Sequence, residues 1–132
     1  MESVELIKKL QIRAGQRLWL VNVPRWLAEA LTAGAEVELA KAGEACDGVV
    51  AFTHTPAEVE TVAEEALKVL PRDGLLWFAY RKGAAGKAAG LTRDMGWDPL
   101  RAAGWDTVRS VSIDDTWTGL RFRAAELIKR QG

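Results

Sequence analysis

The 132 residues predict a small α/β domain, an open and mostly parallel sheet with helices on both faces, closed by a C-terminal antiparallel hairpin. Three observations carry that expectation. Strand-length runs such as LWLV and LLWFAY are apolar throughout rather than alternating, which is the pattern of strands covered on both faces. A helical stripe separates two such runs in TPAEVETVAEEALKVL. The chain then closes on VRSVSIDDTWTGLRFR, two strand-like runs joined by a tight acidic turn.

In order along the chain, Leu18 to Val23 forms a first strand that Pro24 stops. Residues 25–32 read as a short helix ended near Gly34, and residues 36–40 as a brief second strand. Val49 to Phe52 makes a third strand, followed by Thr53, His54 and Thr55. Thr55 can cap the next helix, with Pro56 at its first position, Glu58 three residues after the cap, and Val59, Val62, Ala63, Ala66, Leu67 and Leu70 on one stripe. After the turn at Pro71–Gly74 comes a strand over residues 75–80. RKGAAGKAAG, residues 81–90, reads as a loop. Thr92 is expected to cap a helix that Asp98-Pro99 kinks or restarts and that ends near Ala103-Gly104. Val108 to Ile113 and Trp117 to Arg123 are the hairpin strands, Asp114-Asp115 the turn, and AAELIKR a helical turn or two. In the last strand Thr118, Leu120 and Phe122 share one face, while Trp117, Gly119, Arg121 and Arg123 share the other, Gly119 leaving room for a close neighbour. One domain over residues 1–132, on the reduced plan of a Rossmann-like fold, accounts for all of these elements.

Composition narrows the function classes. Eighteen basic against eighteen acidic residues give no net charge, which argues against nucleic acid and anionic membranes as partners. One cysteine, Cys46, allows no internal disulfide, and one histidine with one cysteine is too few for the usual zinc sites. No apolar run is long enough for a membrane span, and MESVELIKKL lacks the basic-then-apolar form of a signal, so a soluble cytoplasmic protein is expected. A single asparagine, three glutamines and abundant Ala, Glu, Arg and Trp lean towards a thermophilic source.

Open parallel sheets bind ligands outside the carboxyl ends of their strands. Those ends carry Asn22, Pro24 and Arg25, then Thr53, His54 and Thr55, then Tyr80, Arg81 and Lys82. A final strand running antiparallel brings Asp114, Asp115, Thr116 and Trp117 to the same edge. The candidate ligand-binding residues are therefore Asn22, Arg25, His54, Tyr80, Lys82, Asp115, Thr116 and Trp117, and none is assigned a catalytic role. The plainer alternative is that polar residues end any strand and Asp-Asp suits a hairpin turn. His54, the sole imidazole, could bond a carboxylate such as Asp115; lacking a serine or cysteine partner at a recognisable spacing, it reads as a helix-start residue bonding the backbone. The 81–90 loop offers an anion-binding candidate in Lys82, Gly83, Gly86 and Lys87, against the alternative of a solvated loop; its glycine spacing is not that of a P-loop. Of six tryptophans, Trp19 and Trp77 read as core, whereas Trp26, Trp97, Trp105 and Trp117 flank elements where an indole covers an edge, lines a pocket or forms a partner surface. Cys46 has no resolving partner and no redox role is expected.

The run from CDGVVAFTH through LPRDGLLWFAY to AAGWDTVRSVSIDDTWTGLRF resembles the second half of a class I S-adenosylmethionine-dependent methyltransferase. The resemblance implies a methyltransferase-like sheet with the final strand inserted antiparallel. More narrowly, LLWFAYRKG, LTRD and SIDDTWTGLRFR resemble the bacterial domain of unknown function family 3052, which implies no chemistry of its own. Two departures argue against S-adenosylmethionine as cofactor. Asn22-Val23-Pro24-Arg25-Trp26 stands where a glycine-rich turn is expected, and one helix-plus-strand unit is missing between the second and third strands. Glu38 is the sole neighbouring candidate for a ribose carboxylate at the end of the second strand.

These observations favour a non-catalytic binding or interaction module, with a divergent S-adenosylmethionine or nucleotide binder as the alternative. Nucleic-acid binding would need Arg81, Lys82, Lys87, Arg121 and Arg123 on one continuous face. A homodimer or protein partner would use an exposed tryptophan patch.

Overall fold

The computed structural model describes residues 3–128. Helix α1 (Ser3–Lys9) precedes β1 (Arg17–Val21), and α2 (Arg25–Glu29) runs on into a π-helical turn (Ala30–Gly34). Next come β2 (Glu38–Ala40), β3 (Gly48–Phe52), α3 (Pro56–Val69), β4 (Leu75–Arg81) and α4 (Gly83–Ala89). Helix α5 (Asp98–Ala102), β5 (Trp105–Ser112), β6 (Trp117–Ala124) and a 3₁₀ turn (Ala125–Leu127) complete the chain; Lys129 and Arg130 of the expected C-terminal helical tail lie outside the described residues.

All six strands join one sheet in the order β2-β1-β3-β4-β6-β5. The first four are parallel to one another, and β6 inserts antiparallel between β4 and β5, as expected. One face buries Val59, Val62, Ala63 and Ala66 of α3 and Leu100 of α5 against Val49, Ala51, Phe78, Leu120 and Phe122. The other buries Leu6 of α1 and Leu27 of α2, with Leu10 and Leu31, against Val50, Phe52, Trp77 and Ala79. These two cores make the three-layer plan. Strands β3 and β4 are buried on both faces as their unbroken apolar runs require; β1, second from the open edge, is only half covered.

Helix α3 begins as its sequence specifies. Thr55 is extended (φ −137°, ψ 158°), its Oγ1 accepts from the Glu58 amide at 3.2 Å, and the Glu58 carboxylate accepts from the His54 amide at 2.9 Å. One donor that the helix leaves free, the Glu58 amide, and the amide just before the cap are thereby satisfied. The β6 alternation also holds: Phe122 and Leu120 enter one core, and Trp117 packs on the other. A methyl at Gly119 would press on Ile113 Cδ1 at 3.2 Å and Trp77 at 3.4 Å.

Several sequence expectations are corrected. Residues 81–90 are not a loop, because α4 forms over Gly83–Ala89 and stops at Gly90 in the left-handed region (φ 88°). Alanine and glycine give it no large apolar stripe, so periodicity does not reveal it. Thr92 caps no helix; its Oγ1 accepts from the Asp94 and Met95 amides at 3.3 and 3.1 Å, closing a hydroxyl-bonded turn. Glu38 opens β2 opposite Arg17, at the amino end, whereas the carboxyl end carries Ala40 followed by Lys41. The link from β2 to β3, residues 41–47, crosses β1 without a helix, which is where the missing unit would sit. Trp97 and Trp105 are core residues, at 0% and 2% exposure, and Trp19 is only half-buried.

Arg72 ties the turn before β4 to the end of the chain. Its Nε and a terminal nitrogen donate to the two Glu126 carboxylate oxygens at 2.8 and 2.6 Å, and further bonds reach the Ala103 and Gly104 carbonyls at 3.1 and 3.2 Å. The Arg72 hydrogen bond is the main reason the Glu126 carboxyl lies at about 2 instead of its ordinary 4.5. A depressed carboxyl stabilises the fold above its unfolded pKa and loses that contribution as pH falls through the folded value. Thermal unfolding across about pH 5 to pH 2 is therefore expected to show Glu126→Gln below the native chain at the upper end and level with it near the lower. A constant difference across the range would assign the pair no role in acid stability.

Candidate functional site

The carboxyl edge of the sheet gathers most of the residues singled out above. At the end of β1 the chain turns through Asn22 in the left-handed region (φ 53°), a conformation in which asparagine is the commonest residue after glycine. Pro24 then directs the chain into α2, its carbonyl accepting from the Leu27 and Ala28 amides at 3.0 Å each. Arg25 is spent along α2: its side chain is 92% exposed and its Nε donates to the Glu29 carboxylate at 2.9 Å. Trp26 also turns aside, lining an apolar hollow with Val4 and Ile7 of α1.

At the end of β3, Thr53 is buried, and its amide and hydroxyl both donate to the Ala79 carbonyl, at 2.9 and 3.0 Å. That pair locks β3 to β4 at the rim. The His54 Nδ1 lies 3.4 Å from the Glu58 carboxylate, the partner it finds in place of Asp115. Its ring meets the edge of Trp117 at a centroid distance of 5.2 Å, and Trp117 meets Phe52 in the same manner at 4.9 Å. The result is an aromatic step, half-exposed at its His54 end.

The hairpin turn is held from below. Asp114 Oδ1 accepts from the Thr116 and Trp117 amides at 2.8 Å each, and Lys82 Nζ donates to Ser112 Oγ at 2.6 Å and the Asp114 carbonyl at 2.5 Å. The Lys82 amide donates to the Thr116 carbonyl at 2.8 Å. Lys82 is thus a strut between β4 and the turn. Gly86, from the same anion-binding candidate set, lies buried against the Arg81 carbonyl, while Gly83 opens α4 and Lys87 lies in its last turn.

The sheet itself divides the candidates. Tyr80 pairs with Thr118 in register and faces the α3 side, its ring against Trp97 at 5.9 Å. Trp117 packs with the opposite core, and His54 packs on its ring. Burial pushes the Tyr80 hydroxyl up, with Arg93 and the Thr118 hydrogen bond opposing it. Burial also raises the Cys46 thiol, which disfavours the reactive thiolate. Of the cations considered for nucleic acid, Arg81 pairs with Trp117 at one end of the β4–β6 ladder and Arg121 with Trp77 four residues along the same side, roughly 14 Å away.

Sequence reasoning found the edge but not its working contacts. His54 beside Trp117 requires knowing that β6 lies next to β4 and begins level with the end of β3, and single-strand patterns carry no such information. Among the described residues, no group of three His, Cys, Asp or Glu side chains is placed to hold a metal ion. No described helix is long and apolar enough to cross a membrane.

The architecture is shared with solved structures. A fibrillarin from Aeropyrum pernix, solved with natively bound S-adenosyl-L-methionine, superposes with a TM-score of 0.54 at 12% identity, over 86% of this chain and 68% of that one. A cyclopropane synthase from Mycobacterium tuberculosis gives 0.61 at 13% identity, over 83% of this chain and 62% of its own. An S-adenosylmethionine-dependent methyltransferase from Aquifex aeolicus gives 0.57 at 14% identity, over 92% of this chain and 88% of that one. At these identities the likeness defines the fold, a methyltransferase-like Rossmann sheet of reduced size. No protein-family model matches the chain, and the narrower resemblance to family 3052 is not confirmed. No curated protein matches it.

Proposed function

We propose that the chain is a divergent S-adenosylmethionine-binding protein, taking the adenosyl ligand at the carboxyl edge between the turns that follow β1 and β3. One observation carries the reading: the turn after β1 has the left-handed backbone that a glycine would supply, in Asn22, with Arg25 drawn to Glu29 and Trp26 to the hollow beside α1. Glycine serves such a turn in two ways, by positive φ and by leaving the backbone open to close approach, and Asn22 supplies the first. Solved neighbours of the same fold include one with S-adenosyl-L-methionine bound, which supports the choice of ligand.

The fit is partial. A ribose diol is expected to meet a carboxylate at the end of β2, where this chain has Ala40 and Lys41, with the Glu44 carboxylate already bonded to the Lys41 amide at 2.7 Å and to Arg17 at 3.3 Å. The side chains at the edge include no nucleophile and base in contact, so binding is proposed without a transfer step. The exposed Trp26 and Val4, at 42% and 70%, favour an interaction module as the second reading.

A thermal-shift titration separates the two. S-adenosylmethionine or S-adenosylhomocysteine at about a hundred times its dissociation constant is expected to add about 2.7 kcal/mol of stability. Asn22→Gly should keep the response, and Asn22→Ile, whose branched side chain resists positive φ, should lose it. Flat curves with both ligands would reject the proposal and leave the interaction module.

A further inference from the structure

Three arginines meet on the hairpin, and one acid lies in register beside them: Asp106, opposite Arg123, with its carboxylate 3.6 Å from the Arg101 guanidinium. The β5–β6 register sets Arg109 directly opposite Arg121, and Arg123 follows two residues along β6 on the same face. A bulge between Thr107 and Arg109 turns Arg109 into that position. Like charges facing each other across a strand pair are destabilising, so an arrangement of this kind calls for a counter-charge. Among the described residues, none of the three forms an ion pair with a carboxylate. The Glu126 carboxylate, three residues beyond Arg123, is taken by Arg72.

Arg121 shows the strain most clearly. One terminal nitrogen donates to the Gln11 side chain, while its Nε is buried with no hydrogen-bond partner. Burial foremost, then the charges of Arg123 and Arg109, push its pKa down. Gln11 is itself held in the left-handed region, at φ 61°. The three arginines line a concavity of about 400 Å³ whose remaining described wall is Gln11 with the aliphatic Val108, Leu127 and Ile128.

We propose that this concavity binds a phosphorylated small molecule, its phosphate groups held by Arg109, Arg121 and Arg123 and its apolar part resting on Val108 and Leu127. Guanidinium forks match phosphate oxygens two at a time, and an anion offsets all three charges together. The volume suits a compact ligand. A nucleic-acid strand would call for a wider basic footprint than a chain of zero net charge provides. The site lies around Arg121 and Arg123, towards the amino end of β4 and away from Asn22, so it stands independently of the adenosyl reading.

Calorimetric titration of the full chain with pyrophosphate, at constant ionic strength set by sodium chloride, tests it. The expected result is saturable binding at one site per chain, weakened roughly tenfold or more by Arg109→Gln and by Arg123→Gln. Both variants should melt no lower than the native chain, and Asn22→Ile should bind pyrophosphate normally. Arg121 stays in place because its half-buried side chain also holds Gln11. Heats equal to those of added chloride, or binding indifferent to both substitutions, would overturn the proposal. So would binding of a short oligonucleotide where pyrophosphate fails, which would make the patch a nucleic-acid surface.

Discussion

Gly86→Ala is expected to be among the most damaging single substitutions in this chain, although alanine in place of glycine ordinarily stabilises a helix by about 1 kcal/mol. A Cβ built at Gly86 lies 2.0 Å from the Arg81 carbonyl oxygen and 2.7 Å from that of Leu91. Both obstacles are backbone and cannot rotate away. Helix α4 would have to lift from the end of β4, disturbing the Leu91 amide bond to the Gly86 carbonyl at 2.9 Å and the burial of Leu91. A net loss of about 3 kcal/mol follows from overpacking against a rigid neighbour, with serine or valine worse. Urea unfolding reads it directly: at a slope of about 1–3 kcal/mol per molar, the midpoint falls by at least about 1 M. An unchanged or higher midpoint would mean that α4 does not rest on β4.

Trp97→Ala should cost about as much or more, for a different reason. Trp97 is fully buried and sits at the centre of an aromatic group, 6.0 Å from Phe78, 5.4 Å from Phe122 and 5.9 Å from Tyr80 between ring centroids. Its Nε1 donates to the Thr92 carbonyl at 2.7 Å, so the indole also fastens the turn that leads from α4 to α5. Deleting it leaves a cavity among three rings and frees the 91–97 segment; about 3–5 kcal/mol is expected from the cavity alone. Trp97→Phe keeps most of the packing and loses the hydrogen bond, which should confine its cost to roughly 1–2 kcal/mol. Equal midpoints for the alanine and phenylalanine variants would show that the bond, not the packing, dominates.

What was legible in the sequence had local causes. Thr55, Pro56 and Glu58 announce α3 because a cap is made by side chains within four residues. The apolar runs of β3 and β4 reveal burial on both faces, and β6 reveals its two faces, because strand periodicity is a property of the strand itself. Other features depended on neighbours that sequence does not show. Helix α4 rests on β4 where Gly86 fits against the Arg81 carbonyl, so a glycine that suggested an open loop is a packing residue. Trp97 and Trp105 flank short elements, yet both are covered once α5 folds onto the sheet.

The candidate edge divides in the same way. Topology placed Asn22, His54, Lys82 and Trp117 at one rim, which strand order alone could anticipate. That Tyr80 faces the other layer, that Lys82 is a strut and that Asp114 rather than Asp115 anchors the turn are matters of register and hydrogen bonding. The arginine cluster depended on a bulge at Thr107–Arg109, a one-residue shift with no signature in composition.

An amide-resolved NMR titration of the full chain with S-adenosylhomocysteine bears most directly on the proposed function. Binding at the carboxyl edge predicts saturable shifts concentrated at Asn22, Val23 and Arg25 and at Thr53, His54 and Thr55, with the amides of Arg109, Arg121 and Arg123 unmoved. Shifts scattered over the surface, or none at these turns at saturating ligand, would contradict the account.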